Sequence, residues 1–175
     1  MLKGQDVLLL LKLLASNDDA ASFNRLALEL SMSPAEVHQA AKRAEFAGLL
    51  ALIPEGRCHA KKVNRRALVE FLLHGMQYVF PPVRGPVTRG IPTSFGAPCF
   101  PKLISGDELP PVWPAADGAV RGLSFSPLYR SVPIAAQRDP ALYQLLVLVD
   151  ALRGGKARER EVAKHDLLRR LQHDE

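Results

Sequence analysis

Ala35, His38, Gln39 and Lys42 are spaced so that a helix would carry them on one side, with Arg43 at the flank of that side. Together they offer a methyl group, hydrogen-bonding groups and cations. Base edges and phosphates require these groups: a glutamine suits adenine, and a lysine or arginine suits guanine or a phosphate. An ordinary solvated helix face looks much the same, so the neighbouring chain has to decide between the two readings.

The elements that would hold those side chains are marked by their ends. Ser22 is placed to cap a first short helix, with Phe23, Leu26, Ala27 and Leu30 at helical spacing. Ser31-Met32-Ser33 breaks the pattern, with Met32 as the apolar plug of the turn. A second helix then opens on a capping box, Ser33 with Glu36, and has Pro34 at its first position and Gly48 just past its end. Val37, Ala40, Ala41 and Ala44 form its inward stripe, and three alanines there let a neighbouring helix approach closely. Phe46 projects towards the polar side, where it would pack under the following segment or against another subunit. That segment, from Leu49, reads as two short strands around Glu55-Gly56. Between Ser33 and Arg66 there are seven Lys/Arg and three acids, against a net charge of +5 for the whole chain. A compact basic surplus beside a groove-sized helix favours phosphate contacts.

Leu26-Ala27, Met32-Ser33, Val37 and Ala47-Gly48-Leu49-Leu50, followed by a basic hairpin, resemble the winged helix-turn-helix of MarR-like bacterial regulators over about the first 75 residues. The resemblance implies a three-helix core with a wing, the second helix of the motif lying in the major groove and the wing on the adjacent backbone or minor groove. By position it assigns Ser33, Ala35, His38, Gln39, Lys42 and Arg43 as helix contacts, and Arg57, Lys61 and Lys62 as wing contacts.

The chain has 175 residues, enough for one generous domain or a small domain with a long extension. Asp6 and Lys12 interrupt the apolar run near the start, so it reads as a first core helix with Val7, Leu10, Leu11 and Leu14 inward rather than a signal peptide or membrane span. The two cysteines, Cys58 and Cys99, lie far apart, and neither has a second cysteine at metal-ligand spacing. A reducing cytoplasm is the expected setting, with no metal, no cofactor and no membrane. The five histidines form no ligand cluster, and no nucleophile elbow or carboxylate pair stands out, so no enzyme is expected.

After a helix capped by Asn64, twelve of the fourteen prolines fall between Pro81 and Pro140. Proline removes backbone donors and biases its predecessor to extended geometry, which argues for loops or extended arms. Phe80, Phe95, Phe100, Trp113, Phe125 and Tyr129 give this stretch too much apolar character for disorder. Arg84 and Arg89, beside glycines in the near-repeat PVRG-PVTRG, are candidates for phosphate or partner contact. From Pro140 an apolar helix runs to Gly154-Gly155, and a charged one with a narrow apolar stripe follows; these two are the candidate dimer interface.

The expected fold is mainly α with a small β-hairpin wing. It comprises a winged helix-turn-helix domain (1–79), an irregular but ordered Pro-rich arm (80–139) and C-terminal helices (140–175). The expected function is a homodimeric, sequence-specific double-stranded DNA-binding transcriptional regulator, a repressor. The alternative is an antitoxin-like or adaptor protein whose residues 81–135 hold a protein partner while the winged domain binds DNA.

Overall fold

A computed structural model describes residues 1–55, 58–101 and 108–172. In chain order the elements are α1 (Gly4–Ser16), α2 (Phe23–Leu30), α3 (Pro34–Phe46), β1 (Leu50–Glu55), β2 (Cys58–Val63), α4 (Arg65–His74) and α5 (Met76–Val79). There follow β3 (Arg84–Pro92), β4 (Pro111–Pro114), β5 (Val120–Phe125), α6 (Val132–Arg138), α7 (Pro140–Gly154) and α8 (Ala157–Gln172). The fold is mixed α/β. Two compact units are present: residues 1–70 with 128–143, and residues 71–127 with 144–175. They do not follow the three consecutive segments expected from composition.

In the first unit α3 is the central element, packed on α1, α2 and β1. Val37, Ala40, Ala41 and Ala44 are all fully buried, so the expected inward stripe is the observed one. Ser33 and Glu36 form the reciprocal capping box, and Gly48, at φ 73°, supplies the left-handed turn that leads into β1. Ser22 caps α2 by accepting from the Arg25 amide, and Met32 plugs the turn. β1 and β2 pair antiparallel from Leu50↔Val63 to Glu55↔Cys58. The outer edge of β2 is tied down as well, because the Lys61 amide donates to the Asp19 carbonyl.

α1 is buried on every side from Asp6 to Leu14, which leaves Asp6 and Lys12 inside the protein. Such burial requires partners for both charges. Lys12 Nζ lies 2.7 Å from Asp139 and 2.8 Å from Glu29. Burial works against its charge, but these two carboxylates keep its pKa raised. α6 completes this unit by packing on α2, and the Leu128 carbonyl presses so closely on Gly4 that a Cβ there would meet it at 1.9 Å.

The second unit corrects the irregular Pro-rich arm. β3 pairs antiparallel with both β4 and β5, and β4 pairs in parallel with β5, so the three strands close on themselves. Prolines are accommodated where a ladder tolerates a missing donor. Pro86 falls in the register irregularity between Arg84 and Val87, and Pro92, Pro111 and Pro114 stand at strand ends. Asp150 of α7, fully buried, accepts from Thr93 Oγ1 (2.7 Å), Trp113 Nε1 (2.7 Å) and Arg153 Nη1 (2.8 Å). Burial pushes its carboxyl up, and the guanidinium and the other donors pull against that. Arg153 also donates from Nε to the Phe80 carbonyl and from Nη2 to the Ser126 carbonyl.

Asp150→Ala strands a buried guanidinium and two buried donors, so it is expected to cost about 3–5 kcal/mol of folding stability. Urea denaturation followed by Trp113 fluorescence measures this, and a loss below about 1 kcal/mol contradicts the network's role.

Candidate functional site

The exposed side of α3 is set by what holds its two flanks. On one flank Arg43 makes a forked contact with Asp6, Nη2 to Oδ1 at 2.7 Å and Nε to Oδ2 at 2.9 Å. About two turns nearer the start of the helix, the Tyr129 hydroxyl donates to Glu36 and Arg130 Nη2 lies 3.1 Å from the same oxygen. On the other flank His38 meets the Phe23 ring edge-on at 5.3 Å, and the Leu52 amide donates to Glu45 at 3.3 Å. Between the flanks, at successive 100° steps, the outward stripe is Ala35, Gln39, Lys42 and Phe46, all exposed.

Each candidate residue now has a place. Ala35, Gln39 and Lys42 lie together on the outward stripe. Ser33 is exposed at the helix start, its hydroxyl already accepting from the Glu36 amide at 3.2 Å. His38 is half-buried on Phe23, at the margin of the stripe. Arg43 is drawn to the side of it, since Nε and Nη2 of its guanidinium are held by the buried Asp6. Lys62 is exposed on β2, at the rim of a cleft lined by Leu14, Asn17, Asp19 and Arg65. Lys61 is a correction: only 2% exposed, it sits 4.8 Å above the Phe23 ring and donates from Nζ to the His59 carbonyl. Alternation along a strand explains the difference, since Lys61 and Lys62 must point to opposite faces. Arg57 lies outside the described residues.

Arg84 and Arg89 are both exposed but differ in their contacts. Arg84 donates to the Gly154 carbonyl and lies over the Phe125 ring, within the framework of the second unit. Arg89 is exposed and stands directly across from the exposed Arg121 of β5, beside the Val87↔Leu123 pair. Like charges placed opposite each other are unfavourable in a sheet, so this face suits an anionic group.

Composition along the chain did not point to Tyr129, Arg130 or Arg138. Arg138 donates from Nη1 to Ser31 Oγ and to the Leu28 carbonyl, at the turn between α2 and α3. Arg130 and Arg138 are both exposed and bring cations to the start of α3 from about a hundred residues away. The Pro127-Leu128-Tyr129-Arg130 stretch carries an aromatic beside a single cation, which is a usable signal only once its partner is known.

Leu142, Leu145, Leu146, Val149 and Leu152 of α7, and Leu167 and Leu171 of α8, are buried within the single chain, while Val162 and Leu168 of the expected α8 stripe are half-buried. Among the described residues no His/Cys/Asp/Glu group is arranged to hold a metal, and no helix is long and apolar enough to cross a membrane. No protein-family model, curated protein or solved structure matches the chain.

The Tyr129 hydroxyl, the Ser33 amide and hydroxyl, and Arg130 hold the Glu36 carboxyl down at about 2, against an ordinary 4.5. A depressed carboxyl contributes stability that is full above pH 4.5 and disappears as pH falls through about 2. Glu36→Gln therefore destabilises the protein at pH 6, and its deficit relative to wild type shrinks steadily between pH 4.5 and 2. Denaturation midpoints across that range test this; a deficit independent of pH assigns the effect to packing instead.

Proposed function

We propose that the first unit is a winged helix-turn-helix that binds double-stranded DNA sequence-specifically, with α3 in the major groove and the β1–β2 hairpin as a wing along the adjacent backbone. One observation carries the reading: α3 is capped at its start, tied on both flanks and left with an outward stripe of Ala35, Gln39 and Lys42. Gln39 is suited to adenine and Lys42 to guanine or a phosphate. Lys62 on the hairpin, Arg130 at the start of α3 and Arg138 at the preceding turn supply the surrounding cations. Such a molecule acts as a transcriptional regulator, repressing by occupying a promoter. Homodimeric binding remains part of the proposal. A palindromic site, with half-sites about one helical turn apart, is its signature in a selection from random duplexes.

A second reading, an adaptor that also holds a protein partner, is favoured by the exposed Val87 and Leu123 beside Arg89 and Arg121 in the second unit. An apolar patch rimmed by cations suits a partner with acidic and apolar side chains. A stoichiometric partner at native expression that is lost on Arg89→Glu with Leu123→Asp supports it. A partner-free protein removes it.

Two binding experiments separate readout from simple charge attraction. Gln39→Ala with Lys42→Ala is expected to abolish preference for the selected duplex over random DNA, and unchanged discrimination removes α3 from the groove. Lys62→Ala is expected to weaken all sequences alike and to lower the slope of log K against log salt by about 0.9. Lys61→Ala, whose ammonium is buried, should leave that slope unchanged and reduce stability instead.

A further inference from the structure

Phe46 ends the outward stripe of α3 and is 93% exposed. Both flanks of the helix are occupied by Asp6, Tyr129, Phe23 and the Leu52 amide, yet none of these contacts reaches the ring. Phe46 therefore neither packs under the hairpin nor closes the unit's own core. It follows Lys42 by one helical turn, as Lys42 follows Gln39 and Gln39 follows Ala35, so the stripe reads methyl, amide, ammonium, phenyl.

An occupant of this stripe must offer acceptors to Lys42 and Gln39 and apolar surface to Phe46 within about one turn's spacing of each other. A second copy of the chain meets this poorly. An isologous contact through Phe46 would bring the two Lys42 ammonium groups close together. The major-groove edge of a duplex meets it well, because guanine and adenine acceptors alternate there with thymine 5-methyl groups, and phenylalanine is among the side chains that contact that methyl.

We propose that Phe46 is a specificity-determining residue that recognises the 5-methyl group of a thymine in the bound duplex. This rests on the DNA-binding reading of α3 and names one base preference within it.

The test uses the full-length chain and the duplex it enriches from a random-sequence pool. Each thymine of that duplex is replaced in turn by deoxyuridine, which removes only the methyl. At one position wild type should lose about fourfold in affinity, the value of one buried methyl group. Phe46→Ala should bind the thymine and deoxyuridine duplexes equally there, and Phe46→Leu should retain part of the difference. The ring is exposed, so these variants should keep the wild-type fold, checked by circular dichroism. If wild type is indifferent to every methyl, or Phe46→Ala shows the wild-type loss at each position, the proposal is overturned while sequence-specific binding stands. If Phe46→Ala changes the sedimentation coefficient and leaves the thymine profile intact, the ring belongs to a self-association surface and the proposal is likewise overturned. If no sequence is enriched, the DNA-binding reading fails and takes the thymine contact with it.

Discussion

Asp6 is a charge with no access to water, and the arrangement of the first unit follows from satisfying it. One of its carboxylate oxygens also accepts from the Lys3 amide at the start of α1, and the guanidinium of Arg43 covers the remainder. A forked guanidinium-carboxylate contact has directional geometry, unlike the alanine stripe beneath it, which would tolerate sliding and rolling of α3. Rotating α3 by one residue would bring Ala44 or Lys42 against a bare buried carboxylate, and the cost of that error is several kcal/mol. The ion pair thus selects the side of α3 that is turned outward. What the helix presents to a ligand is decided on its hidden flank.

The second unit meets a similar requirement from a different starting point. Its strands are short and interrupted by prolines, so backbone pairing alone gives weak register. Asp150 collects one donor each from the segment after β3, from β4 and from α7, and Arg153 adds two carbonyls on either side of the sheet in sequence. A single carboxylate-guanidinium pair does here what a longer hydrogen-bond ladder does in a regular sheet. Removing either member leaves polar groups where water cannot reach them.

What could be read along the chain were features whose cause is local. The capping box at Ser33, the cap at Ser22, the turn at Gly48 and the inward stripe of α3 depend on residues within a few positions of one another, and all are present as expected. Features with distant causes were not legible. Asp6 and Lys12 look like surface charges until Arg43, Glu29 and Asp139 are placed beside them. Lys61 and Lys62 differ in fate only through the pleat of β2 and the position of Phe23. The prolines hid a sheet because each one sits where its missing donor does no harm, and that location is a property of the pairing partner.

Glu36 bonds to a tyrosine 93 positions later, and Lys12 to an aspartate 127 positions later. On a ribosome, α1 to α3 are complete long before Tyr129, Arg138 and Asp139 have been made. Until then Lys12 has only Glu29 beside it, the start of α3 lacks its clamp, and α2 lacks the helix that covers it. Closing such long loops carries an entropic cost that grows with the logarithm of their length. The first unit therefore matures late in synthesis, after the whole of residues 71–127 has emerged, although its elements are among the earliest encoded.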